Sequence, residues 1–123
     1  MKTNICTTQD QSARLLKCGV STESADMTLS YCKGGFYELM ATPFHYGCFS
    51  EEDAPAWSLS ALLSIMPDLE HCFSLWKFEE DDTYAADATM VNPDFRVDAN
   101  DPIEACVGLI EILHANGYKL NEQ

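Results

Sequence analysis

The sequence predicts an α+β protein in which a small antiparallel sheet carries helices mainly on one of its faces. Capped stretches with helical apolar periodicity occur near both ends and in the middle of the chain. Three runs of alternating side chains follow one another between residues 71 and 99, and the strand–helix alternation typical of a parallel sheet is absent. With 123 residues, 46% of them hydrophobic, the chain has the size and composition of a single globular domain, residues 1–123.

The first predicted helix begins near residue 8. Thr8 and Gln11 have the spacing of a capping box, in which the hydroxyl accepts from a backbone N–H and the glutamine reaches back to the cap. Gly19 is placed to end the helix in a left-handed conformation. A second short helical turn is expected over residues 21–27, capped by its first or second residue.

A hairpin is predicted over residues 28–41, because apolar and aromatic residues flank the sequence Lys33-Gly34-Gly35 on both sides. Residues 42–56 contain two prolines and several acidic side chains, so they are predicted to form a loop.

A short second helix is predicted to begin after Ser58, its N-cap. Trp57 is placed to pack on Leu62 as a hydrophobic staple, and Pro67 prevents the helix from continuing. Its apolar residues recur at helical spacing at Leu59, Leu62, Leu63 and Met66.

A β-meander is predicted over residues 71–79, 83–91 and 95–99, with polar turns between the strands. Alternation along a strand places side chains on opposite faces of the sheet. In the first strand one face receives Cys72, Trp76 and Phe78, and the other receives Phe73 and Leu75.

The last predicted helix has the strongest terminal signals. Asp101 is its N-cap, Pro102 occupies the first helical position, Glu104 completes a capping box, and Gly117 closes the helix. The stripe that should be buried consists of Ile103, Cys106, Val107, Ile110 and Leu113.

Three blocks of the sequence carry a resemblance, the middle one being the most distinctive. They are Gln11-Ser12-x-x-Leu15-Leu16-x-x-Gly19 with Ser24-Ala25-Asp26-Met27, Pro55-Ala56-Trp57-Ser58-Leu59-Ser60-Ala61-Leu62-Leu63-x-x-Met66-Pro67, and Asp101-Pro102-Ile103-Glu104-Ala105. Together these blocks cover about a third of the chain and resemble a family of small uncharacterised proteins from gut-dwelling anaerobic bacteria and their phages or mobile elements. The resemblance implies a bacterial or phage cytoplasmic setting, and it implies no chemistry.

The net charge of −13 is concentrated in the C-terminal part of the chain. Residues 1–50 carry four basic and four acidic side chains, whereas residues 51–123 carry three basic and sixteen acidic ones. Such a surface repels the phosphates of nucleic acids and anionic membranes, so neither is an expected partner. The charge favours solubility, and it also suits a basic protein partner or mimicry of nucleic acid.

The cysteines indicate a reducing compartment. The start of the chain lacks the apolar segment of a secretory signal, and no stretch approaches the ~20 apolar residues of a membrane-spanning helix. We therefore expect reduced, mostly buried thiols in a cytoplasmic protein. They lie at wide, irregular intervals, at Cys6, Cys18, Cys32, Cys48, Cys72 and Cys106.

Four residues are candidates for zinc binding or thiol catalysis: His45, Cys48, His71 and Cys72. Neither local pair has the spacing of a zinc finger, and neighbours on a strand face opposite sides of a sheet. Only Cys48 near His45 offers a local nucleophile with a base. The sequence therefore predicts no catalytic residue, no metal ligand and no cofactor, and it leaves open whether these four side chains converge in space.

Aromatic residues are dense between residues 31 and 57, part of which is predicted as loop. The simplest interpretation is packing over the sheet, and the alternative is an exposed patch that binds a partner or forms a dimer. The candidate interaction patch consists of Phe44, Tyr46, Phe49 and Trp57.

These observations favour a non-enzymatic protein-binding protein of bacterial or phage origin. It would act through its aromatic loop region or its acidic C-terminal half, on a protein partner or on a second copy of itself. Two alternatives remain. One is a small thiol- or metal-dependent enzyme that uses Cys48 with His45 or His71, and the other is an acidic inhibitor that mimics nucleic acid.

Overall fold

A computed structural model describes residues 5–32, 34–44, 52–70 and 72–121. Helices and strands are mixed along these residues, which confirms the α+β class. In chain order the elements are α1 (Gln9–Lys17), a 3₁₀ turn (Thr22–Ser24), β1 (Met27–Cys32), β2 (Phe36–Met40), β3 (Ala54–Ala56), α2 (Leu59–Ile65), β4 (Ser74–Phe78), β5 (Thr83–Asp87), β6 (Arg96–Ala99) and α3 (Pro102–Ala115).

The strands form two antiparallel sheets, with the orders β2-β1-β3 and β4-β5-β6. The predicted hairpin and meander are both present, but they belong to different sheets. The prediction of a loop throughout residues 42–56 is wrong at its end, where β3 pairs with β1. A strand of three residues is too short to show alternation, and Pro55, which has no backbone N–H, is tolerated there because β3 is an edge strand.

The beginning of α1 has the predicted capping box. The Thr8 hydroxyl accepts from the backbone N–H of Gln11 at 3.2 Å, and the Gln11 side chain accepts from the backbone N–H of Thr8 at 2.9 Å. Gly19 has the predicted left-handed conformation, with a φ angle of +81°. The second helical turn is the 3₁₀ turn, and its N-cap is Ser21.

The cap of α2 is also as predicted, because the Ser58 hydroxyl accepts from the backbone N–H of Ala61 at 3.1 Å. Trp57 and Leu62 are both fully buried in the same core cluster, as the staple requires. A seven-residue helix has little stability alone, so this packing holds it in place.

The start of α3 differs from the prediction in one contact. Asp101 accepts from the backbone N–H of Glu104 at 3.3 Å, but the Glu104 side chain does not return to the cap. Instead, its carboxylate accepts from Arg14 and Gln11 on α1. Arg14 donates to both carboxylate oxygens of Glu104, whereas a capping box would supply a single bond from one backbone N–H, so the bidentate interhelical contact replaces the box.

The core lies between α3, the other two helices and one face of the C-terminal sheet. Gly108 marks a close approach of α3 to β6, because a Cβ atom at this position would lie 2.9 Å from Cγ1 of Val97. The apolar stripe predicted for α3 is fully buried: Ile103, Cys106, Val107, Ile110 and Leu113.

Candidate interaction surface

The two faces of the C-terminal sheet have different roles. Directly paired residues of an antiparallel sheet lie on the same face. Leu75, Ala86 and Val97 are paired in register and belong to the core packed under α3. The next register row, Trp76 with Ala85, therefore points to the opposite face, away from the core.

This outward face carries two exposed aromatic rings, Trp76 with 53% of its surface exposed and Phe78 with 38%. Ala85 lies in the same row as Trp76, yet only 1% of its surface is exposed, so larger neighbours on the face cover it. The Arg96 guanidinium is 5.6 Å from the centroid of the Phe78 ring and donates to Asp98 at 2.8 Å. We call these five residues, Trp76, Phe78, Ala85, Arg96 and Asp98, the outer face.

The surroundings of the outer face are strongly acidic. Residues 74–99 carry seven acidic side chains and two basic ones. Arg96 is paired with Asp98, and the Lys77 ammonium lies 6.0 Å from the Tyr84 ring centroid on the other side of the sheet. Within the part of the chain that the structure describes, no carboxylate of the turn at residues 79–82 forms an ion pair. Among the described residues, the carboxylates of this turn are therefore not neutralised by an ion pair with a cation.

Hydrogen bonds favour the charged forms of two groups of this sheet, Asp87 and Arg96. The backbone N–H of Thr89 donates to Asp87 at 2.8 Å and the Thr89 hydroxyl donates at 2.7 Å, and these bonds lower the pKa of Asp87. The bond to Asp98 raises the pKa of Arg96 above its already high ordinary value. Both groups therefore carry their charge at neutral pH.

Two residues of the aromatic patch predicted from the sequence lie in the protein interior and not on its surface. Trp57 is completely buried, and its indole N–H donates to the Ser24 hydroxyl at 2.9 Å. Phe44 is also in the core, with 5% of its surface exposed. These two side chains are therefore interior packing, which was the simpler of the two interpretations. Tyr46 and Phe49 lie outside the described residues.

Alternation along the sequence predicts that Trp76 and Phe78 share one face and that Leu75 lies on the other, and the structure confirms this alternation. The exposure of the two rings to solvent was not predicted. The available signal was in β6, the far strand of the same sheet, where Arg96 and Asp98 alternate with Val97. Charged residues at alternate positions of a strand indicate which face is exposed.

Four of the described thiols have raised pKa values, which is the opposite of what an activated nucleophile requires. Burial raises the pKa of Cys106 to about 12, and burial also raises the pKa values of Cys6 and Cys18. The pKa of Cys32 is raised as well, by desolvation and by the nearby carboxylate of Glu38. Because the thiolate is the reactive form, the raised pKa values keep these four side chains in the less reactive protonated form at neutral pH. All five described cysteines are unbridged, and three of them are buried.

The zinc and thiol candidates fall mostly outside the described residues. Of His45, Cys48, His71 and Cys72, only Cys72 is described, and its side chain is partly exposed. Among the described residues no group of three or more histidine, cysteine or acidic side chains is arranged to hold a metal ion.

Cys18 and His114 both line an open surface depression of about 410 Å³ near the end of α3. Cys18 is buried, and both burial and Glu111 raise its pKa. A protonated thiol does not provide the activated nucleophile that covalent catalysis requires.

Several carboxylates are used to hold the fold. Glu104 and Glu111 bind Arg14, Asp26 accepts from Ser58, and Asp101 caps α3. A mimic of nucleic acid needs its carboxylates free along one surface, so these four do not contribute to such a surface.

The fold and this surface together define a small α+β protein with two three-stranded antiparallel sheets, one of which presents an aromatic face in acidic surroundings. Comparison of the chain with family models, curated proteins and solved structures gives no match. In the described ranges, no helix has the length and apolar character needed to cross a membrane.

Proposed function

We propose that this chain is a non-enzymatic protein-binding protein whose outer face binds a basic partner protein. The observation that carries the proposal is the exposed pair of aromatic rings, Trp76 and Phe78, beside an acidic turn that no described cation neutralises. The partner is expected to present arginine or lysine side chains on an accessible surface or segment.

The aromatic rings would supply the affinity. Tryptophan is among the residues that most often dominate binding energy at protein interfaces, because its large rigid surface loses little entropy when it is covered. An arginine placed over an indole ring contributes about 0.5–2 kcal/mol through cation–π attraction. Within the protein, Arg96 already makes this type of contact with Phe78.

The carboxylates would supply selectivity and speed of association. Complementary charge steers a basic partner toward the surface and raises the association rate at low ionic strength. The same charge disfavours nucleic acids and anionic membranes as ligands. This is why a basic protein is proposed rather than either of them.

The proposed setting is the cytoplasm of a bacterium, with a bacterial or phage origin for the gene. The unbridged cysteines support a reducing compartment. The three sequence blocks that resemble small proteins of gut anaerobes and their phages support the origin.

Tryptophan fluorescence offers a direct test of the proposal. Trp76 is half exposed whereas Trp57 is completely buried, so a ligand on the outer face changes the emission of Trp76 alone. The probe is an end-blocked peptide of about eight alternating arginine and threonine residues, which favour an extended chain. We expect saturable binding that weakens roughly tenfold or more when NaCl is raised from about 0.05 M to about 0.5 M. The matching peptide with glutamate in place of arginine should not bind.

Matched variants locate the binding site. Trp76→Ala with Phe78→Ala should weaken peptide binding, measured by calorimetry, roughly tenfold or more. Phe36→Ala removes an exposed ring from the other sheet and is the control. For charge, amide replacements at residues 79–82 should weaken binding, while Glu23→Gln with Glu38→Gln should not. Equal affinity for all variants, or no binding of the arginine peptide to the wild-type protein, contradicts the proposal.

A further inference from the structure

The strand β4 is an edge of the C-terminal sheet. The sheet order is β4-β5-β6, and among the described residues no strand pairs with the outer side of β4. Four of its five residues are exposed: Ser74, Trp76, Lys77 and Phe78. An edge strand of this kind presents backbone N–H and C=O groups to which another extended chain can bind.

The other edge strands differ from β4 in length, sequence or charge. β3 has three residues and includes Pro55, which cannot donate a backbone hydrogen bond. β6 has four residues, two of which form the ion pair between Arg96 and Asp98. β2 is as long as β4, but it belongs to the part of the chain whose charges balance, and its Tyr37 hydroxyl accepts from Gln9 of α1.

We infer that β4 receives an extended, basic segment of the partner protein as a fourth antiparallel or parallel strand of the sheet. This inference rests on the function proposed above and adds the manner of binding. Backbone hydrogen bonds along β4 would hold the segment, and its alternate side chains would lie over the outer face.

The spacing between strands allows the backbone hydrogen bonds along β4 and the side-chain contacts with the outer face to form at the same time. Neighbouring strands lie about 4.8 Å apart, so a side chain opposite Trp76 on the same face comes within reach of the indole ring. Phe78 follows Trp76 by two positions on that face, and the acidic turn begins immediately after it. Arginine side chains at alternate positions of the segment would therefore contact the Trp76 ring, the Phe78 ring and the carboxylates of residues 79–82 in turn.

Charge decides which chain occupies the edge. A second copy of this protein would bring a net charge of −13 and another acidic turn toward the first. A basic segment instead offsets the acidic excess of residues 74–99. We therefore assign the edge to a partner segment and not to self-association.

Amide hydrogen exchange of the whole protein, followed by nuclear magnetic resonance, tests this inference with the same arginine–threonine peptide. In the free protein, alternate residues of β4 have backbone N–H groups on the unpaired edge and exchange quickly. With the peptide at saturation, we expect exchange at those alternate positions to slow roughly tenfold. The amides of β2 serve as the control edge and should not change.

Each result has a distinct meaning. If Trp76 fluorescence shows that the peptide is bound but the β4 amides exchange as before, strand addition is wrong while the proposed function stands. If the peptide does not bind at all, the proposed function fails and the inference fails with it. If the β4 amides become protected without peptide as protein concentration rises, a second copy occupies the edge and the inference is overturned.

Discussion

At the residue scale, Arg14 makes the contacts that join the first and last helices. Its guanidinium donates to both carboxylate oxygens of Glu104, at 2.7 and 2.8 Å, and its Nε donates to Glu111 at 3.0 Å. Arg14 precedes Glu104 by 90 residues and Glu111 by 97, and all three side chains are only partly exposed. The planar guanidinium pairs with both oxygens of Glu104 while another of its N–H groups reaches Glu111, a two-pronged geometry that a lysine ammonium does not offer.

Replacing Arg14 should therefore lower the free energy of unfolding. For Arg14→Gln we expect a loss of about 1–2 kcal/mol, a range already reduced for the partial solvent exposure of the pair. The control is Arg96→Gln, which removes the more exposed pair with Asp98 and should cost under about 0.5 kcal/mol. Urea denaturation measures both variants. Equal losses would contradict the special role of Arg14.

The same contact predicts a pH dependence through Glu104. The hydrogen bond from Arg14 is the main cause that holds the pKa of Glu104 below its ordinary value of 4.5. Because the folded pKa is the lower one, the stabilisation is present above pH 4.5 and is lost as the pH falls through the folded value. The difference in unfolding free energy between the wild type and Glu104→Gln should thus shrink as the pH is lowered from neutrality into this acidic range. A difference that stays constant would show that the charge of Glu104 is not involved.

At the element scale, the packing of α3 on β6 depends on the absence of a side chain at Gly108. An added Cβ atom would meet Cγ1 of Val97 at 2.9 Å, and a β-branched side chain has little freedom to turn away. Alanine in a helix would otherwise gain about 1 kcal/mol over glycine. For Gly108→Ala, the clash therefore lowers the stability of the protein, whereas the helix propensity of alanine raises it.

We expect the clash to dominate, so that Gly108→Ala destabilises the protein by about 1 kcal/mol. The double-mutant cycle with Val97→Ala isolates the cause. In the Val97→Ala background the added methyl group has space, and Gly108→Ala should become neutral or stabilising. Thermal or urea unfolding of the four proteins gives the coupling energy. If Gly108→Ala destabilises both backgrounds equally, the clash with Val97 is not the cause of the destabilisation.

Elements whose signals are local were predictable from the sequence. The caps formed by Thr8, Ser58 and Asp101 are identified by residues within one helical turn, and each is present in the structure. Features that depend on distant residues were not predictable in the same way. The pairing of β3 with β1 and the bond between Glu104 and Arg14 join residues that are far apart in the sequence, and no local sequence signal indicates either contact.

The candidate surface also has one property that follows from local sequence and one that depends on distant residues. Alternation along β4 correctly grouped Trp76 with Phe78, because side-chain direction in a strand follows from the backbone. The direction of that face depends on where α3 packs, which is a tertiary contact. The predicted loop patch instead assumed that Phe44 and Trp57 were exposed, whereas the core includes both of them.

At the scale of the whole molecule, charge separates the two sheets. The sheet formed by β1, β2 and β3 comes mostly from the electrically balanced part of the chain, and the sheet formed by β4, β5 and β6 comes from the acidic part. Buried apolar side chains of all three described helices join one core cluster beside the acidic sheet. Helix α3 therefore covers one face of that sheet, with α1 and α2 packed on α3, and the aromatic, acidic face is left toward solvent, where a basic partner would be attracted.

The proposal that the outer face binds a basic partner is tested by mapping where a basic ligand binds on the intact protein. The measurement is the change in backbone amide chemical shifts of the ¹⁵N-labelled chain as the arginine–threonine peptide is added at low salt. Binding at the outer face predicts that the largest changes fall at residues 74–87 and 96–98, with the indole N–H of Trp76 shifting and that of Trp57 unchanged. Changes centred on the sheet formed by β1, β2 and β3, or small changes spread evenly over acidic residues of the whole chain, would contradict it.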